Sequence, residues 1–217
     1  MNIEQARFNM IEQQIRPWEV LDQDVLSLLA ALKREDFVPP AYRALAFVDT
    51  EVPLPLGQIM LAPKVEARLL QALQVTHHDT VLEIGAGSGH MAALLAHRAR
   101  RVITVEVRPS LVAMATANLL RAGISNAIVH EADGSQGLPA QAPFDVIVLS
   151  GSVADVPPML LEQLKPGGRL VAIVGQEPVM HATLITRIAA AQFKRTELFD
   201  TVAPRLDGFS EPATFRF

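Results

Sequence analysis

From residue 80 onward the sequence alternates two kinds of segment, and that alternation constrains the fold more than any other feature in it. Residues 80–84, 101–107, 127–130, 144–149 and 169–174 are short, rich in Val, Ile and Leu, and bounded by Gly, Pro, Asp or Arg. Between them lie helix-forming stretches at 90–99, 110–121 and about 155–164. A strand that is apolar on both sides must be covered on both sides, and strands separated by helices join in parallel. The pattern therefore predicts an α/β fold with a doubly wound, mostly parallel sheet. After Gly175 the alternation weakens, and antiparallel edge strands are expected there.

The part before this core reads differently. Residues 3–15 carry Ile3, Ala6, Met10, Ile11 and Ile15 at a loose helical period that Pro17 stops, and residues 25–32 are rich in helix formers. Between Pro39 and Pro63 the prolines and Gly57 make a long helix implausible, yet the segment is too apolar for a simple linker. Such loops are more often functional than idle, which singles out residues 52–63. The expected organisation is one domain over 1–217: a helical cap and loop (1–66), a cofactor-binding core (67–175) and C-terminal strands (176–217).

Composition removes several classes. The chain has no cysteine, so disulfide scaffolds, thiolate metal sites and cysteine nucleophiles drop out together. A net charge of −4 is a poor match to duplex nucleic acid, whose binding relies on basic side chains against phosphates. No apolar run reaches the roughly 18 residues of a membrane span, and the N-terminus lacks the apolar core of a secretory signal, so the chain is expected to be cytoplasmic. None of the histidines has metal-ligand spacing, and no metal is expected.

The motif that carries chemistry is Val81-Leu82-Glu83-Ile84-Gly85-Ala86-Gly87-Ser88-Gly89, a strand running into a glycine turn that opens a helix. Glycines let the backbone approach a ligand, and the helix start offers free N–H groups. A dinucleotide fingerprint needs its third glycine one place later, where this chain has His90. Glu83 would repel a pyrophosphate but suits a cationic ligand end, which favours S-adenosylmethionine over NAD. Glu106, followed by Val107, ends the second run 19 positions after Gly87, close to the spacing at which a carboxylate takes ribose hydroxyls. Asp133 and Gly134 follow the third run, where a carboxylate could accept from an exocyclic amine.

With these motifs the chain resembles the protein-L-isoaspartate O-methyltransferases, which methylate the abnormal carboxylate of isoaspartyl residues in damaged proteins. The resemblance spans about residues 7–175 and includes Arg34-Glu35-Asp36-Phe37-Val38-Pro39, Gly57-Gln58, Asp133-Gly134-Ser135-Gln136-Gly137 and Gln163-Leu164-Lys165-Pro166-Gly167-Gly168. It implies the Rossmann-like methyltransferase fold, S-adenosyl-L-methionine as cofactor and a protein or peptide substrate bearing isoaspartyl residues. One stretch departs from it. Where the family loop reads roughly G-Q-T-I-S-x-P, this chain has Gln58, Ile59, Met60, Leu61 and Ala62 before Pro63, so Leu61 stands at the serine assigned to the reacting carboxylate. The turn Ser150-Gly151-Ser152 and the ending Thr214-Phe215-Arg216-Phe217 also differ.

Methyl transfer to a carboxylate needs no general base, because the nucleophile is already ionised at pH 7. No acid–base dyad is visible in the sequence, which agrees with that chemistry. A methyltransferase of the same fold with another substrate, and a non-catalytic S-adenosylmethionine-binding protein, remain as alternatives. His90 reads as a partly exposed residue at a helix start, and Trp18 and Phe37 as packing residues.

Overall fold

The computed structural model describes residues 2–211; the ending at residues 214–217 lies outside them. Helix α1 (Ile3–Met10) is capped by the Asn2 side chain, which accepts the Gln5 N–H at 3.2 Å. It widens into a π-turn over Ile11–Ile15 and stops at Pro17. Helix α2 (Gln23–Ala31) starts where Asp22 Oδ1 accepts the N–H groups of Asp24 and Val25, a cap worth about 1 kcal/mol. After two 3₁₀ segments, Arg34–Asp36 and Pro40–Phe47, strands β1 (Val52–Pro53) and β2 (Ile59–Met60) form a small antiparallel pair. That pair resolves the proline-rich stretch as a hairpin lying ahead of helix α3 (Pro63–Leu73).

Then come β3 (Thr80–Ile84), α4 (His90–Arg98), β4 (Arg101–Glu106), α5 (Pro109–Arg121), β5 (Ala127–Glu131), β6 (Phe144–Val153), α6 (Pro158–Glu162), β7 (Leu164–Gln176), β8 (Val179–Ala189) and β9 (Gln192–Asp200). The sheet order is β5-β4-β3-β6-β7-β8-β9. Strands β5 through β7 pair in parallel, and β8 and β9 add antiparallel at the edge, as the sequence pattern predicts. Strand β6 runs four residues past the predicted end at Leu149, because Ser152 and Val153 pair with Ile173 and Val174 after a register shift. Helix α6 is shorter than the expected stretch, since Pro157 and Pro158 permit a helix only from that point.

Val81, Leu82, Val146, Ile147 and Leu170 are fully buried, so both faces of the central strands are covered. One face packs against α3, α4, α5 and the N-terminal cap in a hydrophobic cluster reaching from Met10 to Ala203; the other packs against α6 and Leu138. The strand order reverses at β3, which lies between β4 and β6. In open α/β sheets this reversal leaves a crevice at the carboxyl ends of the strands, where ligands bind.

Candidate active site

The crevice is present, and most of the sequence-singled residues meet in it. Gly85 and Ala86 both donate to Val105 O, at 2.9 and 3.2 Å, which folds the glycine turn back over the end of β4. Glu106 is 5% exposed; its Oε2 accepts the Gly87 N–H and its Oε1 the Arg108 N–H, both at 3.0 Å. The cleft beside it is walled by Ile84, Gly85, Val107, Leu111, Gly134 and Leu206, with Gln58 and Ile59 reaching across from the β1–β2 hairpin. Gly134 is there for close approach: a β-carbon on it would lie 2.5 Å from Ile84 Cγ2 and 2.7 Å from Val105 Cγ2.

Two of the expected residues stand apart. Asp133 does not line the cleft; its Oδ1 accepts the Ser135 N–H at 2.8 Å and braces the turn after β5. Gly89 faces Ala115 on α5, where a β-carbon would meet the helix backbone at 3.2 Å, so it serves the packing of α4 on α5. Ala62 is the residue before α3 and is buried.

Behind the hairpin lies a second, small cavity of about 30 Å³, bordered by Leu61, Met60, Glu66, Glu83, Ser88 and His90. Glu83 is fully buried there. Its Oε1 accepts from Ser150 Oγ at 2.7 Å and its Oε2 has no partner among the described residues. Burial pushes the Glu83 carboxyl up to about 8, so the acid is mostly uncharged at neutral pH.

A cluster that the sequence reading missed completes this cavity. Glu66 Oε2 on α3 pairs with Arg34 Nη1 and lies 3.0 Å from His90 Nδ1, and Arg34 Nη2 donates to Leu61 O at 2.7 Å. Burial raises the Glu66 carboxyl, but the charges of Arg34 and His90 and the hydrogen bonds from both outweigh it and leave Glu66 below the ordinary carboxylate range. His90 is 2% exposed, which corrects the expectation of a partly exposed helix-start residue; Phe37 packs edge-on against its ring at 5.3 Å. Trp18 is not a packing residue either: it is 41% exposed, with Lys64 Nζ 3.8 Å from its ring centre. Residues 34, 66 and 90 are too far apart in sequence for spacing to reveal them. The one available signal was an acid on the helix next to the loop, one turn after Pro63.

The departing turn after β6 also acquires a role. Ser152 N donates to Pro204 O at 2.8 Å, Ser152 Oγ to Ala203 O at 2.7 Å, and Leu206 N to Ser152 O at 2.9 Å. This seats the segment after β9 across the carboxyl edge of the sheet, where Asp207 pairs with Arg108 at 2.6 Å.

A parallel sheet with this strand order, a glycine turn preceded by a buried acid, and a second acid at the end of the next strand define an S-adenosylmethionine-dependent methyltransferase. The family model described as protein-L-isoaspartate(D-aspartate) O-methyltransferase matches residues 5–202. The chain is 42% identical over 194 residues to a protein-L-isoaspartate O-methyltransferase of Koribacter versatilis, covering 89% of this chain and 87% of that one. It is 41% identical over 207 residues to one of Rhodopseudomonas palustris, covering 94% and 95%. Its fold resembles that of a Plasmodium falciparum chain, described as a protein-L-isoaspartate O-methyltransferase and solved with S-adenosyl-L-homocysteine, at a TM-score of 0.79 and 20% identity, over 95% of this chain and 99% of that one. The chain belongs to the protein-L-isoaspartate(D-aspartate) O-methyltransferase family. Among the described residues no helix is long and apolar enough to cross a membrane.

Proposed function

We propose that this chain methylates the carboxylate of isoaspartyl residues in proteins or peptides, and that the cleft between the glycine turn and the β1–β2 hairpin holds S-adenosyl-L-methionine. The observation that carries the reading is the convergence of Glu83, the turn Gly85 to Gly87 and Glu106 on one edge of the sheet, with residues 58–61 lying over it. The donor set fits the cofactor. The orphaned Glu83 Oε2 suits an ammonium, and Glu106 has lone pairs left for ribose hydroxyls after its two backbone bonds. Ile84, Val107 and Leu111 offer apolar walls to a base. The cofactor when bound supplies an electrophilic methyl group.

The residues of the chain then align and dehydrate. The buried Met60 and Leu61 and the half-buried Ile59 exclude water from the reacting carboxylate, and proximity can contribute up to roughly 7–11 kcal/mol of barrier lowering. The cap meets the core at this cleft, since Arg34 Nη1 and Glu66 Oε2 lie 3.2 and 3.0 Å from His90 Nδ1 on α4. Radiolabelled methyl transfer to an isoaspartyl peptide, beside the same peptide with ordinary aspartate, tests the reading. A base-labile ester formed on the isoaspartyl peptide alone is the expected result; equal labelling of both peptides, or of neither, overturns it.

A further inference from the structure

Over the methyl-donor end of the cleft Ile59, Met60 and Leu61 present apolar side chains, and the buried Leu61 carbonyl is taken by Arg34 Nη2. A carboxylate entering there would lose hydrogen bonds that water had given it, which is costly unless the protein replaces them. The small cavity behind the loop holds the candidates. Ser150 Oγ is committed to Glu83, and Glu66 Oε2 is committed to Arg34 and His90. Glu83 Oε2 goes to the cofactor ammonium in the reading above. His90 borders the cavity, and the hydrogen bonds of its ring among the described residues run through Nδ1.

We propose that the His90 imidazole, held by Glu66 and Arg34 behind residues 59–61, makes the hydrogen bond to the substrate carboxylate that this apolar loop does not provide. The inference rests on the isoaspartyl reading given above. His90 Nδ1 lies 3.2 Å from Arg34 Nη1, a group that can only donate, and 3.0 Å from Glu66 Oε2. In the tautomer that accepts from Arg34 the ring carries its N–H at Nε2, and that N–H is the donor a carboxylate requires. The ionisable groups around the ring are Arg34 from the cap, Glu66 from α3 and Glu83 from β3; Phe37 closes one side with its edge. Arg34 and Glu66 offset each other beside the ring.

The experiment measures kcat/KM for isoaspartyl and aspartyl peptides with the wild type, His90→Phe and His90→Gln, together with S-adenosyl-L-homocysteine affinity and thermal unfolding for each. We expect His90→Phe to lose tenfold or more in kcat/KM while its affinity for S-adenosyl-L-homocysteine stays within twofold. His90→Gln, which retains a neutral donor, should keep most of the activity. A His90→Phe variant within threefold of an active wild type overturns the role of His90 and leaves the methyltransferase reading standing. A wild type that does not prefer the isoaspartyl peptide overturns that reading, and this inference with it. Should His90→Phe fail to fold, a folded His90→Gln variant that loses tenfold or more in kcat/KM overturns the inference by itself.

Discussion

Leu206 Cδ2 stands 2.8 Å from the point where a β-carbon on Gly85 would lie, so the segment after the last strand closes directly on the glycine turn. Gly85 also has a φ of +93°, which side-chain-bearing residues rarely adopt. Gly85→Ala should therefore cost stability twice, once for the backbone and once for the collision, by roughly 1–3 kcal/mol together. Leu206→Ala relieves only the collision. Denaturant unfolding of both single variants and the double variant should show a favourable interaction energy of about 1 kcal/mol. Strict additivity would mean that residues 203–206 do not rest on the turn in solution.

Glu106 does two jobs in the structure, and they can be separated. Its two oxygens brace the N–H groups of Gly87 and Arg108, and the same carboxylate faces the cleft. Glu106→Ala should weaken S-adenosyl-L-homocysteine binding by about 1.5–3 kcal/mol, the range for hydrogen bonds involving a charged group, and should also lower stability because two backbone donors lose their acceptor. Glu106→Gln keeps one acceptor and should lose less stability. Calorimetry that finds unchanged affinity in the alanine variant would leave Glu106 with the bracing role only.

The parts of the site that lie within one strand-turn-helix unit were legible in the sequence, because local chain geometry alone brings them together. Glu83, the glycines and Glu106 belong to the β3-α4-β4 unit, and the fold delivers them to one edge whatever the rest of the chain does. The antiparallel strands after Gly175 were expected on thinner ground, since residues 179–191 fit either helix or strand and residues 193–202 alternate only partly. The Arg34–Glu66–His90 cluster was not. Its members come from the cap, α3 and α4, and only tertiary packing decides that Glu66 turns inward to a histidine instead of outward to water. Asp133 stands differently: read from the sequence as an acceptor for an exocyclic amine, it uses Oδ1 in the structure to accept the neighbouring Ser135 N–H, the usual competitor for such residues.

Glu83 makes stability depend on pH with an unusual sign for a carboxylate. Its folded-state value is raised from 4.5 to about 8, so the folded chain keeps a proton that the unfolded chain has already released. The contribution is fully present below about 4.5 and is lost as pH rises toward 8, by up to roughly 4–5 kcal/mol in the ligand-free protein. Glu83→Gln cannot ionise and should flatten this slope, so the variant should gain on the wild type between pH 5 and 8. Urea unfolding at several pH values reads the difference directly. Parallel curves for the two proteins would show that Glu83 is ionised in the folded state already.

The loop gives the last prediction, because restoring its lost hydroxyl has different consequences depending on whether His90 stands in for it. In a cleft whose only polar contact to the substrate came from residue 61, Leu61→Ser would raise isoaspartyl methylation about tenfold. The structure places a buried imidazole in the same small cavity as Leu61, so one donor is present before any substitution. Leu61 is also 6% exposed and packed in the core cluster, and removing its side chain costs apolar burial. Leu61→Ser in the wild type should therefore change kcat/KM by less than threefold. In the His90→Phe background, where the donor is gone, the same substitution should recover tenfold or more. The two effects differ only if residues 61 and 90 serve the same carboxylate oxygen, so equal gains in both backgrounds would show that they act on the substrate independently.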